Sequence, residues 1–374
     1  MKLLKKGLRD MEKKFVSNTL AGMSNQSFFV SDGNIHRGRA YVKIFSGGEF
    51  NYSLFFTNTT DSTFADGSHS ACNREITPWE ILSVKVGTVN ECTPYCATEP
   101  SHFTDVLFEG KKEKLVGKGD SFWSDEFILE AEKDEYLCFD ITYRGNEIPC
   151  HPEVVVPTFE YIDGKWDSFA EKGADKSRVP LPSMIGCDKK VKQRIAYIGD
   201  SITQGIGADN NSYSHWNAVL SERLGDDNAY WNLGVGYARC SDAARNGVWL
   251  DKAKCNDVVF LCLGVNSILR GYAGEEVVEN LLKIVNILKS MGKKVIIQSV
   301  PPFNYSGEYI KTWEYVNSRI EKEIALLCDG YFDNRPILSK STEESYRALY
   351  GGHPDNDGGV KWGNALYEYI KNIL

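Results

Sequence analysis

Short runs in which apolar and polar residues alternate follow one another through the first half of the chain, and turn-forming residues such as Ser46-Gly47-Gly48 separate them. Alternation with a period of two places one face of a strand against a core and the other toward solvent. We predict strands at residues 40–45, 50–56, 80–86, 121–123, 136–143 and 153–156. Short strands separated by turns, with no long helical period, predict an all-β domain of the sandwich or jelly-roll type.

The pattern changes near residue 190. Apolar runs now alternate with segments whose apolar residues recur at helical spacing, as Val277, Leu281 and Leu288 do. Near-continuous apolar strands that alternate with helices are typical of a parallel sheet covered by helices on both faces. We predict strands at 195–198, 257–263, 294–300 and 330–333, and helices at 213–224, 275–290, 313–328 and 361–374.

The charged stretch at residues 187–192 separates these two patterns. A chain of 374 residues also favours two domains over one. The sequence therefore predicts a β-sandwich domain with jelly-roll character at residues 1–187. It predicts an α/β domain at residues 188–374.

The net charge is −8, with 42% hydrophobic and 25% charged residues. This acidic balance argues against nucleic acid or an anionic membrane surface as the main partner. No apolar run approaches the ~20 residues that a membrane-spanning helix needs. We therefore expect a soluble globular protein with no nucleic-acid or membrane partner.

Residues 1–14 are basic and helical in character, but they lack the apolar segment and cleavage site of a secretory signal. Ten cysteines are scattered along the chain. Without a visible signal, reduced thiols and a cytoplasmic location are the expectation. Cys92 and Cys96 form the closest pair, yet no second Cys/His pair at zinc spacing accompanies them. We predict neither a metal site nor an organic cofactor.

The most informative motif is the run Tyr-Ile-Gly-Asp-Ser-Ile-Thr at residues 197–203. An apolar strand ends at a glycine and delivers Ser201 to the turn before a helical segment. A serine held on such a turn lies next to helix N–H groups that have no partner within the helix, so it is a candidate nucleophile. The alternative is that Ser201 is only a helix N-cap.

A candidate general base lies far along the chain. His353 stands in the run Gly-Gly-His-Pro at residues 351–354, just before the last predicted helix. A doubly wound sheet brings the carboxyl ends of its strands to one edge, where His353 and Ser201 can meet. The alternative is an ordinary loop histidine.

Four blocks of this region resemble those of the GDSL/SGNH hydrolases, which are esterases and lipases. They are the Gly-Asp-Ser-Ile-Thr run, Asn-Leu-Gly-Val-Gly at residues 232–236, Gly-Val-Asn-Ser at 264–267, and His353. All four occur in the family's order, and the resemblance covers residues ~190–374. It implies a flavodoxin-like, three-layer α/β fold for the C-terminal domain.

The resemblance also implies roles for individual residues. Ser201 would be the nucleophile and His353 the base. The negative oxygen of the transition state would be bound by the backbone N–H of Ser201, by the side chain of Asn266, and by a backbone N–H of the second block. For that last donor the candidates are Gly234 and Gly236, with Tyr237 as the next position. Asp200 would brace the turn through hydrogen bonds.

One position departs from the family pattern. The family usually carries an aspartate three residues before the histidine, and this chain has Tyr350 there. Either Ser201 and His353 act as a dyad, with a backbone carbonyl or water on the second ring nitrogen, or another acid replaces the aspartate. The nearby acids are Asp355, Asp357, Glu343 and Glu344.

A β-rich domain followed by such an α/β domain is similar to two-domain carbohydrate esterases that remove acetyl groups from sugars. The sequence therefore predicts a serine esterase for small acyl esters, above all acetyl esters of carbohydrates. The alternatives are a catalytically weak glycan-binding protein, and a lipase or thioesterase of the same family. Trp216 and Trp362 are expected to wall the site.

Overall fold

The computed structural model describes residues 14–62, 71–172 and 177–374. The helical character expected for residues 1–13 lies outside these ranges. The chain divides into two compact units. The first runs to Val191 and includes Ala229–Trp231, and the second comprises Lys192–Asn228 and Asn232–Leu374. None of the described helices is both long enough and apolar enough to span a membrane.

The first unit is built from β-strands. They are β1 Val16–Ser17, β2 Ser27–Val30, β3 His36–Lys43, β4 Gly48–Thr57, β5 Trp79–Val89, β6 Thr104–Val106, β7 Lys114–Val116, β8 Ser121–Trp123, β9 Phe127–Ala131, β10 Tyr136–Gly145, β11 Glu147–Cys150, β12 Thr158–Ile162, β13 Lys165–Ser168 and β14 Met184–Cys187. A short 3₁₀ turn, Ala170–Lys172, follows β13. The predicted all-β composition of this unit is what the structure shows.

The strands of the first unit form two larger sheets and one separate pair of strands. One sheet has the order β1-β14-β4-β8, with β9 also on β4, and the other has the order β13-β12-β3-β10-β5-β6, with β7 also on β5. The third pair is β11-β2. Neighbouring strands are antiparallel, as in β10, where Phe139 lies opposite Ala40 on one side and Val86 on the other. This is the pairing that alternating strands favour.

Aromatic side chains from both sheets meet in the core of the first unit. The ring of Phe56 on β4 lies 5.5 Å from that of Phe122 and 6.4 Å from that of Phe139 on β10. Phe108, which precedes β7, packs against the same ring at 6.1 Å. The inward-facing half of the alternating pattern therefore fills one shared core.

The strand predicted at residues 153–156 is wrong. Its apolar residues lie in a turn, where the N–H of Val154 donates to the carbonyl of His151 at 3.2 Å. Pro152 and Pro157 flank this run and have no N–H to give to a neighbouring strand. The strand β12 begins only at Thr158, after the second proline.

The second unit alternates strands and helices. Its elements are β15 Arg194–Gly199, α1 Ser201–Gln204, α2 Trp216–Leu224, β16 Ala229–Gly234, α3 Cys240–Ala244, α4 Val248–Lys254, β17 Val258–Cys262, α5 Val265–Leu269, α6 Gly274–Ser290, β18 Lys294–Gln298, α7 Glu308–Arg319, β19 Gly330–Phe332, α8 Arg335–Leu338 and α9 Asn356–Ile370. The strand β16 is described with this unit although its first three residues are assigned to the first unit. A π-helical turn, Ile320–Ile324, and a 3₁₀ turn, Ala325–Leu327, extend α7.

The sheet of the second unit has the order β16-β15-β17-β18-β19. The pairs β15/β17, β17/β18 and β18/β19 are parallel. Numbered from β15, this is the 2-1-3-4-5 order of flavodoxin-like folds, in which the chain changes direction between the first and third strands. Ligands bind at that switch point, outside the carboxyl ends of the strands. Ser201 follows β15 at this place.

The apolar stripe of α6 is buried as its periodicity predicts, with Val277, Leu281 and Leu288 each at most 1% exposed. Trp216 on α2 and Trp362 on α9 stack on one another with ring centroids 5.1 Å apart, and both are buried. The expectation that these two tryptophans wall the site is therefore wrong. They form the core contact between two helices.

Candidate active site

Ser201 is the first residue of α1, and Asp200 is the N-cap. Asp200 has an extended backbone, and its Oδ1 accepts a hydrogen bond from the N–H of Ile202 at 3.0 Å. Asp200 thus takes the capping role and Ser201 does not. The hydrogen bond from Ile202 to Asp200 is of the kind predicted to brace this turn. The N–H of Ser201 is not needed by the helix, because the first amides of a helix have no acceptor within it.

The hydroxyl of Ser201 lies 2.7 Å from Nε2 of His353. Ser201 is 8% exposed, so the hydroxyl is close to the surface and yet largely shielded from water. A serine hydroxyl in hydrogen-bond contact with a neutral imidazole can lose its proton to that ring while it attacks an electrophile. Two residues far apart in sequence are thus brought together as the doubly wound fold predicts.

His353 is held beside Ser201 by the segment that follows α1. A Cβ placed on Gly207, whose φ is +102°, would lie 2.5 Å from the carbonyl oxygen of Pro354 and 2.7 Å from that of His353. Further along, the N–H of Asp209 donates to Oδ1 of Asn356 at 2.9 Å, and Nδ2 of Asn356 donates to the Asp209 carboxylate at 2.7 Å. These hydrogen bonds therefore join the start of α9 to the loop that follows α1, the helix that begins with Ser201.

The ring of Phe303 packs edge to face against the imidazole of His353, with centroids 5.2 Å apart and planes at 83°. Burial lowers the pKa of His353 below its ordinary value, because the charged imidazolium loses hydration there. At neutral pH the ring is therefore neutral, which is the form that can accept a proton.

The four candidate orienting acids do not reach His353. Within the described ranges, neither a carboxylate nor a carbonyl is hydrogen-bonded to Nδ1 of this ring. Asp355 caps α9 by accepting from the N–H of Gly358, and Glu344 pairs with Arg347. Neither Glu343 nor Asp357 is hydrogen-bonded or ion-paired to the imidazole.

Tyr350, at the position where the family has an aspartate, accepts a hydrogen bond from the Lys361 ammonium at 2.6 Å. The geometry is that of a Ser–His dyad.

The second block forms a tight turn beside the nucleophile. The N–H of Val235 donates to the carbonyl of Gly199 at 3.1 Å, and the N–H of Ala238 closes the turn on the carbonyl of Val235 at 3.2 Å. Tyr237 has a φ of +59°, a left-handed conformation that glycine adopts far more readily. The turn thus keeps the shape that a glycine would give it, and the amides of Gly236 and Tyr237 lie at its tip.

Asn266 lies in the first turn of α5, after β17. Its Nδ2 donates to the carbonyl of Ala238 at 3.1 Å, which joins the third block to the turn of the second. An amide nitrogen carries two hydrogens, so one stays available for an oxygen of the substrate. The ends of β15, β16 and β17 are thereby linked, and they bring together the donor groups that the sequence predicts.

Gly234 is one of the candidate oxyanion donors, but its backbone N–H already has an acceptor within the protein. Its N–H donates to Oδ1 of Asn232 at 2.9 Å, and the residue is buried. A Cβ there would lie 2.1 Å from the backbone nitrogen of Gln204. Gly234 is therefore required for close packing of β16 against α1, and its amide is already in use.

Burial raises the pKa of Asp200 to about 7, against the lowering effect of its hydrogen bond from Ile202. The charge of Asp200 adds to burial in raising the pKa of Cys240, Cys262 and Tyr305 above their ordinary values. All three side chains are buried, as Asp200 is.

All ten cysteines lie in the described part of the chain, and none of them, Cys92 and Cys96 included, forms a disulfide. In the part of the chain that the structure describes, no group of three or more His, Cys, Asp or Glu side chains is placed to hold a metal ion.

Sequence reasoning missed Phe303, Gly207 and Asn356, which position the histidine. Phe303 lies in an irregular segment after β18, and a single loop phenylalanine has no pattern to mark it. Gly207 and Asn356 carry a weak signal, since glycines and asparagines near a predicted helix end are typical of turns and caps.

Part of the chain is similar to known proteins. Residues 197–359 match the model of the GDSL-like Lipase/Acylhydrolase family. Esterase TesA of Pseudomonas aeruginosa is 28% identical over 129 residues, which are 33% of this chain and 63% of that protein. The chain thus spans less than two thirds of the length of this curated relative.

Solved structures are similar to about half of the chain. The crystal structure of TesA covers 49% of this chain and 100% of its own, at 24% identity and a TM-score of 0.40. A mutant of Axe2, an acetyl-xylooligosaccharide esterase from Geobacillus, covers 49% of this chain and 94% of its own, at 20% identity and a TM-score of 0.39.

Proposed function

We propose that this chain, whose residues 197–359 form a GDSL-like lipase/acylhydrolase domain, is a serine esterase that works through a Ser201–His353 dyad. The observation that carries the proposal is the 2.7 Å contact between Ser201 Oγ and His353 Nε2 at the switch point of the sheet. The contact joins a nucleophile to a neutral base in a shielded site. It also favours catalysis over a purely glycan-binding role, which needs no such pair.

The reaction follows from this arrangement. His353 accepts the hydroxyl proton as Ser201 Oγ bonds to the ester carbonyl carbon, and the carbonyl oxygen becomes negative. The Ser201 N–H, an amide of the Gly236–Tyr237 turn and the free hydrogen of Asn266 Nδ2 are the proposed donors to that oxygen. The bond to the alcohol oxygen then breaks, and His353 returns the proton to the departing alcohol. Water repeats the sequence on the acyl-serine and releases the acid.

The dyad replaces the usual triad in this proposal. The imidazolium that forms during the reaction has no buried carboxylate as a partner, so it is stabilised less than in a triad. Instead of a carboxylate, two contacts fix the position of the imidazole. They are the packing of Phe303 against the ring and the close approach of Gly207 to the backbone of His353 and Pro354. A dyad would therefore react more slowly than a triad, but its histidine would remain neutral, and able to accept a proton, down to lower pH.

The finer part of the proposal concerns the substrate. We infer an acetyl group on a carbohydrate alcohol, in line with the resemblance to two-domain sugar esterases whose N-terminal domain is a β-sandwich or jelly roll. The β-rich first unit and the acylhydrolase domain after it support this assignment. A lipase or thioesterase would instead accept long acyl chains or thioesters.

A substrate panel tests the proposal. Purified protein is assayed with para-nitrophenyl acetate, butyrate and octanoate, with an acetyl thioester, and with acetylated xylo-oligosaccharides. We expect cleavage of the acetyl esters, a fall in kcat/KM with chain length, and loss of more than ~10³ in kcat for Ser201→Ala. Ser306→Ala, at an exposed serine of the same unit, is the matched control and should retain full activity. A Ser201→Ala protein with a tenth or more of the activity would overturn the mechanism, and a preference for octanoate would favour the lipase.

A further inference from the structure

Arg239 is a buried arginine directly after the turn of the second block. Its side chain is 8% exposed, and it stands at the N-cap of α3. Arginine is rarely buried unless its guanidinium is paired, because the charge loses its hydration. A buried guanidinium such as that of Arg239 is therefore expected to have acidic or carbonyl partners.

The guanidinium of Arg239 is poorly satisfied by the protein. Nε lies 3.5 Å from Oδ2 of Asp242, at the limit of a hydrogen bond, and the same oxygen already accepts from the backbone N–H of Arg239 at 2.9 Å. Nη2 is buried and has no hydrogen-bond partner among the described residues. Nη1 likewise has no hydrogen-bond partner among the described residues, so the protein satisfies neither outer nitrogen of the guanidinium, the pair that grips carboxylates in two parallel bonds.

Arg39 shows what a satisfied buried arginine looks like in this chain. Its side chain is 0% exposed, and its nitrogens reach Asp140 at 2.7 Å and Glu99 at 2.8 Å. Burial alone therefore does not leave an arginine of this protein without acceptors, and the unpaired outer nitrogens of Arg239 are a property of its site.

The two chain neighbours of Arg239 contact the segment that carries Asn266. The preceding residue, Ala238, accepts the hydrogen bond of Asn266 Nδ2 on its carbonyl at 3.1 Å. The N–H of the following residue, Cys240, donates to Oγ of Ser267 at 3.0 Å. Arg239 is thus held between two contacts to α5, one residue away from the backbone that meets the proposed oxyanion donor.

We propose that Arg239 binds a carboxylate carried by the ester substrate, so that the enzyme prefers anionic esters over neutral ones. The inference rests on the proposed esterase function and narrows its substrate class. A carboxylate would accept charge-assisted hydrogen bonds from the outer nitrogens of Arg239 and remove the cost of an unpaired buried donor. The carboxylate is either on the alcohol, as in a uronic acid, or at the far end of the acyl group, as in the half-ester of a dicarboxylic acid.

Matched ester pairs test the inference and separate the two sources. On the alcohol side, para-acetoxybenzoate is compared with its neutral methyl ester. On the acyl side, mono-para-nitrophenyl glutarate is compared with para-nitrophenyl butyrate. We expect the kcat/KM ratio of anionic to neutral ester to exceed unity in one pair, and to fall by ~10-fold or more in Arg239→Gln. Arg245→Gln, at the exposed far end of α3, should keep the wild-type ratio.

A binding measurement separates this inference from the proposed function. The Ser201→Ala protein is titrated calorimetrically with para-acetoxybenzoate and with mono-para-nitrophenyl glutarate, which it should not cleave. Binding that weakens ~10-fold or more in Ser201→Ala/Arg239→Gln supports the carboxylate site even if wild type hydrolyses no ester. Hydrolysis of neutral and anionic esters with an unchanged ratio in Arg239→Gln overturns the site while the esterase stands.

Removal of Arg239 leaves the buried carboxylate of Asp242 without its cation, which can destabilise the fold. The double variant Arg239→Gln/Asp242→Asn removes both charges and serves as the second test. Its thermal unfolding midpoint is measured beside its ester ratio. A folded double variant that has lost the anionic preference supports the proposal, and one that keeps the preference overturns it.

Discussion

The ring of Phe303 meets the imidazole of His353 edge to face at a centroid distance of 5.2 Å. No carboxylate within the described residues is hydrogen-bonded to this histidine, whereas its ring packs against Phe303 and is hydrogen-bonded to Ser201. Phe303 therefore acts as a positioning residue. It limits rotation of the imidazole and keeps water from one side of it.

Replacing Phe303 by leucine should lower kcat about tenfold with a smaller effect on KM, because the base loses its fixed orientation. It should also move the midpoint of the pH–rate profile upward, since the imidazolium becomes better hydrated. Tyr309→Leu, at an exposed aromatic of the same unit, is the control and should change neither. A Phe303→Leu protein with the wild-type profile would show that the ring has no such role.

The pH dependence of the wild-type enzyme follows from the lowered pKa of His353. The base must be neutral, so kcat/KM should rise with pH through a midpoint below about 6.5, the ordinary histidine value. The pH–rate profile for para-nitrophenyl acetate, corrected for buffer hydrolysis, measures this midpoint. A midpoint well above that value would mean that a negative charge stabilises the imidazolium, and would contradict the dyad.

Asp200 should make the fold less stable as the pH rises. Its pKa in the folded state is about 7, above the unfolded value of about 3.9, so the folded protein holds the proton more tightly. The stabilisation is present below the unfolded pKa and is lost as the pH rises through about 7. Asp200→Asn keeps an oxygen for the Ile202 amide and cannot ionise.

Urea unfolding at pH 5 and pH 8 measures this difference. We expect the free energy of unfolding to fall between these values by more in wild type than in Asp200→Asn, by an amount on the order of 1 kcal/mol or more. Asp226→Asn, at an exposed aspartate, should behave like wild type. Equal pH dependence in Asp200→Asn and wild type would show that the carboxylate is ionised in the folded protein.

Asn266→Ala should reduce kcat by ~10²–10³ with little change in KM, because an oxyanion donor acts mainly on the transition state. Asn286→Ala, at an exposed asparagine of α6, is the matched control. A loss confined to KM would instead identify Asn266 as a contact to the bound substrate. Thermal unfolding of both variants checks that the lost bond to Ala238 has not loosened the site.

Much of this site could be predicted because it follows from chain topology. Parallel strands end at one edge, so Ser201 after β15 and Asn266 after β17 had to be neighbours once the strands were recognised. The family pattern added His353, whose approach to Ser201 needs the whole fold. The strand predicted at residues 153–156 failed because two prolines outweigh the apolar run between them.

The parts that could not be predicted depend on packing and on single hydrogen bonds. Trp216 and Trp362 look alike in sequence whether they face a crevice or each other. The amide of Gly234 is engaged by Asn232, a contact that no spacing rule indicates. Nothing in the sequence around Arg239 indicates that its side chain is buried or that its Nη2 has no hydrogen-bond partner among the described residues.

The left-handed backbone of Tyr237 has a consequence for how the protein fails under stress. A tyrosine in this conformation is disfavoured by about 1 kcal/mol or more, a cost that the hydrogen bonds of the turn to Gly199 and Asn266 help to offset. Such a segment opens locally before the sheet unfolds. Inactivation is therefore expected to precede global denaturation, with activity disappearing at urea concentrations where the secondary structure of the sheet is still intact.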